Sequence, residues 1–191
     1  MRLSLTDKCN LRCTYCMPAE GLEWLSKQAV MTAAEIVRLV RIGVEHLGVR
    51  ELRLTGGEPL VRADLVDIIT ALRQAHPDLP ISMTTNGVGL DKKAAALKQA
   101  GLTRINVSLD SLHEETFTKL TRRPFLDKVL AGVDAARAAG LGRSRSTPSS
   151  CAASTTPSPP SSWPGHWSAA MNCASSNKCR WTPTTAGPGA T

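Results

Sequence analysis

The chain has 191 residues, 42% of them hydrophobic, and a formal net charge of +7. This length is enough for one domain with a buried core, and so small a positive charge gives no argument for nucleic-acid binding. No apolar run reaches the ~20 residues of a membrane span and no signal peptide precedes the first cysteines, which predicts a cytoplasmic protein.

Strand-like and helix-like segments alternate through the first 142 residues. Residues 2–6 (RLSLT) predict a strand that enters a cysteine-containing loop. A helix is predicted next, because Thr32 and Glu35 form a capping box, apolar residues recur at helical spacing, and Gly48 ends the pattern. The later elements are a strand ending at Thr55, a helix at 63–76, a strand and turn at 80–87, a helix at 91–101, a strand at 104–112, and helices at 113–120 and 126–140, the last capped by Gly140.

This alternation predicts parallel strands joined by right-handed βαβ units. An open doubly wound sheet and a β/α barrel both fit the order, and in both the functional loops follow the C-terminal ends of strands. Four segments fall at such ends: the cysteine loop at 9–16, GGEP at 56–59, TTNG at 84–87 and SLD at 108–110. We therefore expect these four segments to form one site.

Three cysteines near the start of the chain, Cys9, Cys13 and Cys16, form a C-x3-C-x2-C pattern. Three thiolates in one loop suit an iron–sulfur cluster or a zinc ion. A zinc site would need a fourth ligand. The candidate histidines have no zinc-finger spacing: His46, His76, His113 and His166. On a four-iron cluster, three thiolates would leave one iron open for a substrate or cofactor.

Other candidate residues have ordinary structural explanations as well. The GGEP glycines let a ligand approach the backbone, but a tight strand-to-helix turn also needs glycine, and the Asn-Gly of TTNG is common turn chemistry. Arg2 and Arg53 lie inside predicted strands, where an inward-facing charge would need phosphates or a carboxylate, whereas an outward-facing one would be surface. The basic pairs at 92–93 and 122–123 are interpreted as solvated surface.

The cysteine triplet followed by GGEP resembles the radical S-adenosylmethionine (SAM) superfamily. The longer strings RLSLTDKCNLRCTYCMP, LRLTGGEPLVRADL, TTNG and AGLTRINVSLDSL resemble, within it, the MoaA family of GTP 3',8-cyclases, from Arg2 to about Gly142. The resemblance implies an α/β fold, a partial TIM-like β/α barrel spanning 1–142. It also implies a lyase that converts GTP to (8S)-3',8-cyclo-7,8-dihydroguanosine 5'-triphosphate, the first step of molybdenum cofactor biosynthesis.

The same resemblance implies the ligands and their residues. A [4Fe–4S] cluster would be held by Cys9, Cys13 and Cys16, with its open iron binding SAM. Reductive cleavage of SAM would give a radical that takes hydrogen from the GTP ribose. The implied contacts are Tyr15, Gly57 and Ser108 to SAM, and Arg2, Arg53 and Thr84 to GTP. The implied partners are an electron donor and the downstream cyclic pyranopterin monophosphate synthase, MoaC.

Two other functions stay open: another radical SAM enzyme, such as one that modifies peptides, and a non-catalytic metal-binding fragment. A GTP site would distinguish the first, and metal analysis the second. The family's C-terminal region, with a second cluster on three more cysteines, has no counterpart here, so we expect this chain to be weakly active or inactive. The remaining cysteines do not match that cluster in spacing: Cys151, Cys173 and Cys179.

The composition changes abruptly at Arg143. From there to Thr191 the chain contains no Leu, Ile, Val, Phe, Asp or Glu, and Ser, Thr and Pro dominate. Such a segment buries too little apolar surface to offset the entropy of ordering. We therefore predict a disordered tail at 143–191, after a folded part at 1–142.

We predict that this tail is read in the wrong frame, through one inserted base or two deleted bases near Gly142. Back-translating residues 143–155 with GC-rich codons and reading two bases later gives VKVNAVLVRGVN, a good barrel strand. Resequencing the gene tests this. The corrected frame should continue past the Thr191 codon and encode C-x2-C followed by a third cysteine. A shifted frame that closes earlier would contradict the prediction.

Overall fold

The computed structural model describes residues 1–142 and the backbone of two short strands further along the chain. The elements are β1 (Arg2–Ser4), α1 (Ala33–Leu47), β2 (Leu52–Thr55), α2 (Leu65–Ala75), β3 (Ile81–Thr85), α3 (Ala94–Gln99), β4 (Arg104–Ser108), α4 (Glu114–Thr121), α5 (Leu126–Ala138), β5 (Met171–Ala174) and β6 (Lys178–Trp181). Short 3-10 turns lie at Lys27–Ala29, Pro59–Val61 and Leu90–Lys92. The predicted alternation of strands and helices is confirmed for 1–142.

The first four strands form a parallel sheet in the order β1-β2-β3-β4. Strands that follow each other in the chain are therefore neighbours, and right-handed crossovers place their connecting helices on one face. A doubly wound sheet would instead reverse its strand order at a switch point. The arrangement is part of a β/α barrel, whose interior is the face without helices.

The two faces of this sheet have opposite chemical character. The apolar side chains on the helix-covered face are nearly fully buried: Leu3, Leu5, Leu52, Leu54, Ile81, Met83, Ile105 and Val107. The residues between them point to the interior face and are polar: Arg2, Ser4, Arg53, Thr55, Ser82, Thr84, Arg104, Asn106 and Ser108. Because side chains alternate along a strand, this pattern fixes which residues face the barrel interior.

Helix α1 has the predicted ends. The Thr32 hydroxyl accepts from the Glu35 N–H at 3.3 Å, and the Glu35 carboxylate accepts from the Thr32 N–H at 2.7 Å. Gly48 caps the other end with φ 66°, in the left-handed region that glycine favours. For α5 the prediction was one residue off, because Ala139 is the cap and Gly140 adopts the left-handed conformation just beyond it.

Strands β5 and β6 pair with each other in antiparallel fashion, and β6 also pairs antiparallel with β4. No strand was predicted there. The edge of β4 has unpaired N–H and C=O groups, so an extended segment pairs with it without needing an apolar pattern. The rest of the predicted disordered tail lies outside the described residues, at 143–170, 175–177 and 182–191. Cys151 and His166 lie there too.

In the part of the chain that the structure describes, no helix is both long enough and apolar enough to cross a membrane.

Candidate functional site

The four predicted loops meet at the C-terminal edge of the parallel sheet. The cysteine loop contacts GGEP through the Gly57 N–H, which donates to the Thr6 carbonyl at 2.6 Å. It contacts TTNG through the Asn86 amide, which donates to the Asn10 side chain at 2.7 Å. It contacts the SLD loop through the Tyr15 hydroxyl, which donates to a carboxylate there. One site therefore draws on the ends of β1, β2, β3 and β4.

The cysteine loop is anchored to the C-terminal end of α4 by its backbone. The Arg12 N–H donates to the Thr121 carbonyl at 3.0 Å, and the Thr14 N–H donates to the Leu120 carbonyl at 2.8 Å. A tight turn follows, in which the Cys13 carbonyl accepts from the Cys16 and Met17 N–H groups at 2.9 and 3.1 Å. These bonds order the loop before any ligand is considered.

All three thiols of the loop are free, with Cys9 and Cys13 half-buried and Cys16 exposed. Burial raises the pKa of Cys9 and that of Cys13, and the negative charges of the neighbouring thiolates raise each pKa further. Carboxylates act in the same direction, Glu58 on Cys9 and Asp110 on Cys13. Raised pKa values favour the protonated thiols of Cys9 and Cys13, so holding them as thiolates needs a cationic centre, and soft sulfur donors fit an iron–sulfur cluster.

Among the described residues, no three Cys, His, Asp or Glu side chains are placed to share a single metal ion. A four-iron cluster makes a different demand, because each thiolate binds a different iron atom. Of the zinc-ligand candidates, His46 in the last turn of α1 and His76 at the cap of α2 lie where β2 and β3 begin, at the opposite edge of the sheet. His113 is the N-cap of α4.

Gly57 lies where the backbone of the GGEP turn packs directly against the backbone of residues 7–8. A Cβ atom added to it would overlap the carbonyl oxygens of Asp7 and Lys8, at the start of the cysteine loop. The next residue continues the contact, because the Glu58 N–H donates to the Lys8 carbonyl at 2.8 Å. Close packing of GGEP on the cysteine loop therefore accounts for glycine at this position.

Glu58 is a buried carboxylate that sequence reasoning missed. Its side chain is 1% exposed and accepts three hydrogen bonds: from the Leu60 N–H at 3.0 Å, the Thr85 hydroxyl at 2.6 Å and the Asn86 N–H at 2.6 Å. The charge of Glu58 inside an apolar stretch was the available signal, because such a charge needs several partners. The carboxylate joins the GGEP turn to the TTNG turn.

The TTNG turn contacts the cysteine loop through the side chain of Asn86. The side-chain nitrogen of Asn86 donates to Asn10 and lies 3.9 Å from the Cys9 sulfur, while the side-chain oxygen accepts from the Val88 N–H at 3.0 Å. An Asn-Gly pair is common in turns, and the bond from the Val88 N–H to the Asn86 side chain is a turn hydrogen bond. The bond from Asn86 to Asn10 also connects this turn to the cysteine loop.

Tyr15 is linked through Asp110 to the loop that follows Ser108, the last residue of β4. Tyr15 is 49% exposed, and its hydroxyl donates to the Asp110 carboxylate, two residues after Ser108. Burial and the hydrogen bond to Asp110 raise the pKa of Tyr15 far above its usual range, so the phenol stays protonated. Asp110 thus fixes the direction of the Tyr15 ring.

The arginines form a row across the interior face, since Arg2 pairs with Arg53, Arg53 with Ser82, and Ser82 with Arg104. Arg104 is neutralised by Glu51 at 2.8 Å. Within the described residues, the guanidinium groups of Arg2 and Arg53 have no hydrogen bond or ion pair.

Thr84 lies on the same interior face as this row. It is two residues closer to the strand edge than Ser82, in register with Asn106 of β4. The strand register and the burial of the alternate leucines place Arg2 and Arg53 on the interior face, and their contact with GTP stays a prediction.

Comparison with known proteins gives a consistent result. The sequence profile of the Radical SAM superfamily matches residues 3–148. A GTP 3',8-cyclase of Paenarthrobacter nicotinovorans is 87% identical over 142 residues, covering 74% of this chain and 40% of that protein. One of Rhodococcus opacus (strain B4) is 57% identical over 141 residues, with the same coverage of 74% and 40%. The chain thus spans about 40% of the length of these curated relatives.

Among solved structures, Streptococcus suis SuiB bound to its precursor peptide SuiA is similar, with a TM-score of 0.61 and 21% identity over 74% of this chain and 30% of that one. At this identity the likeness concerns the fold.

The role of Glu58 is tested by Glu58→Gln, which keeps the shape but turns one acceptor oxygen into a donor. We expect a loss of about 2 kcal/mol in the free energy of unfolding, because one buried N–H is left facing another donor. Urea unfolding of the metal-free chain measures this. Glu35→Gln is the control, since glutamine also completes a capping box and should leave stability unchanged. Equal stability of both variants would contradict the role given to Glu58.

Proposed function

The chain belongs to the radical SAM superfamily, and from this membership we propose that it binds a [4Fe–4S] cluster and SAM at the C-terminal edge of its sheet and GTP inside the barrel, for GTP 3',8-cyclase chemistry. The observation that carries the GTP part is the pair of adjacent arginines on the interior face, Arg2 and Arg53, which have no ion pair with any described residue. The high identity to GTP 3',8-cyclases supports the same assignment.

Cys9, Cys13 and Cys16 are proposed as the cluster ligands. Bound together, cluster and SAM supply one-electron chemistry that no side chain of this chain provides. The chain's own contribution is a preordered loop, tied to α4 by the Arg12 and Thr14 amides. Asn86 places an N–H group near the Cys9 sulfur, the kind of contact that tunes iron–sulfur centres.

Tyr15, Gly57 and Ser108 are proposed to contact SAM. The exposed Tyr15 ring offers a flat apolar surface for the adenine, held in one orientation by Asp110. The Gly57 N–H is already used by the Thr6 carbonyl. The Gly57 carbonyl accepts no hydrogen bond from the described part of the chain, and it is an acceptor suited to the SAM amino group.

Arg2, Arg53 and Thr84 are proposed to bind GTP. Like charges opposite each other on neighbouring strands repel, and a triphosphate between Arg2 and Arg53 would turn that repulsion into attraction. Arg53 lies two residues before Thr55, the last residue of β2. The proposed phosphate site therefore lies along the strands, away from the strand ends where the cofactors are proposed.

The proposal includes a cytoplasmic location, an electron donor and MoaC as the downstream enzyme. A reducing compartment agrees with the free thiols of the cysteine loop. A peptide-modifying radical SAM enzyme is the alternative, and two adjacent arginines that have no acidic partner among the described residues favour a phosphorylated substrate over a peptide.

The cluster assignment is tested by anaerobic reconstitution of the full chain with iron and sulfide. We expect a brown protein with about four irons per chain, and loss of that iron in Cys13→Ser, because the cluster has only three protein anchors. Cys151→Ser is the control and should retain the iron. Stoichiometric zinc in the isolated protein, or iron retained after all three loop cysteines are replaced, would contradict the assignment.

The GTP assignment is tested by Arg53→Ala, measured by calorimetric titration with GTP. We expect affinity to fall at least about tenfold, because a charge-assisted contact to phosphate is lost. Arg104→Ala is the matched control, since Glu51 already neutralises that arginine, and its effect should be several times smaller. Guanosine should bind the wild type and both variants alike. Equal effects of the two substitutions on GTP binding would argue against the assignment.

A further inference from the structure

Helix α4 ends in a residue with an unusual backbone. Arg122, its C-cap, has φ 55° and ψ 27°, and among the described residues it is the one non-glycine residue with a positive φ. Glycine or asparagine is favoured at such helix ends, because a larger side chain is strained in the left-handed region. An arginine in this conformation indicates that its side chain has a role that outweighs the strain.

The Arg122 side chain reaches back to the cysteine loop. One guanidinium nitrogen, Nη1, donates to the Met17 carbonyl at 3.0 Å and to the Arg12 carbonyl at 3.3 Å. These two carbonyls bracket the segment that contains Cys13 and Cys16.

The backbone of the same helix end holds the loop as well, since the Leu120 and Thr121 carbonyls accept from the Thr14 and Arg12 N–H groups. Both backbone groups of Arg12 are therefore hydrogen-bonded to this helix end: its N–H donates to the Thr121 carbonyl, and its carbonyl accepts from the Arg122 guanidinium. Arg122 belongs to the basic pair at 122–123, for which the sequence predicts solvated surface. The side chain is exposed, yet it bridges two chain segments more than 100 residues apart.

We propose that Arg122 is a positioning residue that clamps the Cys13–Met17 turn in its metal-binding shape before metal is bound. This inference rests on the proposed function, in which Cys13 and Cys16 are cluster ligands. With three protein anchors, a turn that is already ordered loses less freedom when the cluster binds, and holds it more tightly.

The test compares Arg122→Asn with Arg123→Asn. Asparagine tolerates the left-handed conformation, so the first variant keeps the helix end and removes only the reach to the loop. Arg123 is the matched control, an adjacent exposed arginine whose side chain has no hydrogen bond among the described residues. Arg122→Lys is the conservative variant, which keeps a charged donor on a long side chain.

The first readout is hydrogen–deuterium exchange of the metal-free full chain. We expect the Arg12, Thr14, Cys16 and Met17 amides to exchange about tenfold faster in Arg122→Asn, the loss expected for one or two hydrogen bonds from a charged donor. Exchange in the strands of the sheet should not change. Arg123→Asn should match the wild type, and Arg122→Lys should recover at least half of the protection on a logarithmic scale.

The second readout is the rate at which an iron chelator removes the cluster from the reconstituted chain, followed by loss of visible absorbance. We expect it to rise about tenfold in Arg122→Asn alone. If the wild type binds no cluster, the proposed function fails, while the metal-free exchange still decides the role of Arg122. Unchanged loop exchange in Arg122→Asn, or equal acceleration in Arg123→Asn, would overturn the clamp.

Discussion

The buried carboxylate of Glu58 holds the proposed active site together. Its three donors come from two different turns, so burying the charge forces GGEP and TTNG into one arrangement. Burial raises the pKa of Glu58, while the bonds from Asn86, Thr85 and Leu60 and the nearby Lys93 charge lower it. Every group that faces the oxygens is a donor, which suits the ionised form. Through Asn86 this arrangement extends to the cysteine loop, and through the Glu58 N–H to its first residues.

The proposed site also depends on the unequal faces of the sheet. Helices cover an apolar face, so the alternate residues must face a polar interior, and this puts Arg2 and Arg53 side by side. The proposed substrate contacts along the strands follow from the alternation of side chains, and the proposed cofactor contacts lie in the loops at the strand ends. The fold places Arg2 and Arg53 side by side on one face of the sheet and the cysteine loop at the C-terminal ends of the strands.

Features set by nearby residues could be predicted from the sequence, whereas contacts between distant residues could not. The capping box of α1, the order of elements and the meeting of four loops follow from patterns within a few residues or from general rules for βαβ units. The roles of Glu58, Asn86 and Arg122 could not be predicted, because each depends on a partner 28 to 110 residues away. For Arg2 and Arg53 the face depended on strand register. The pairing of β6 with β4 had no signal, because an open edge accepts extended backbone of any composition.

In the proposed function, the adjacency of Arg2 and Arg53 links anion binding thermodynamically to the order of the chain. Strand β1 has three residues and, among the described strands, pairs with β2 alone, so the repulsion between these two charges acts directly on the attachment of β1. A polyanion that neutralises the pair stabilises that attachment, and β1 continues directly into the loop of Cys9, Cys13 and Cys16. By reciprocity, if anion binding strengthens ordering of the loop by some factor, ordering of the loop strengthens anion binding by the same factor. In the proposed function, phosphate recognition and assembly of the sulfur ligands are therefore thermodynamically coupled.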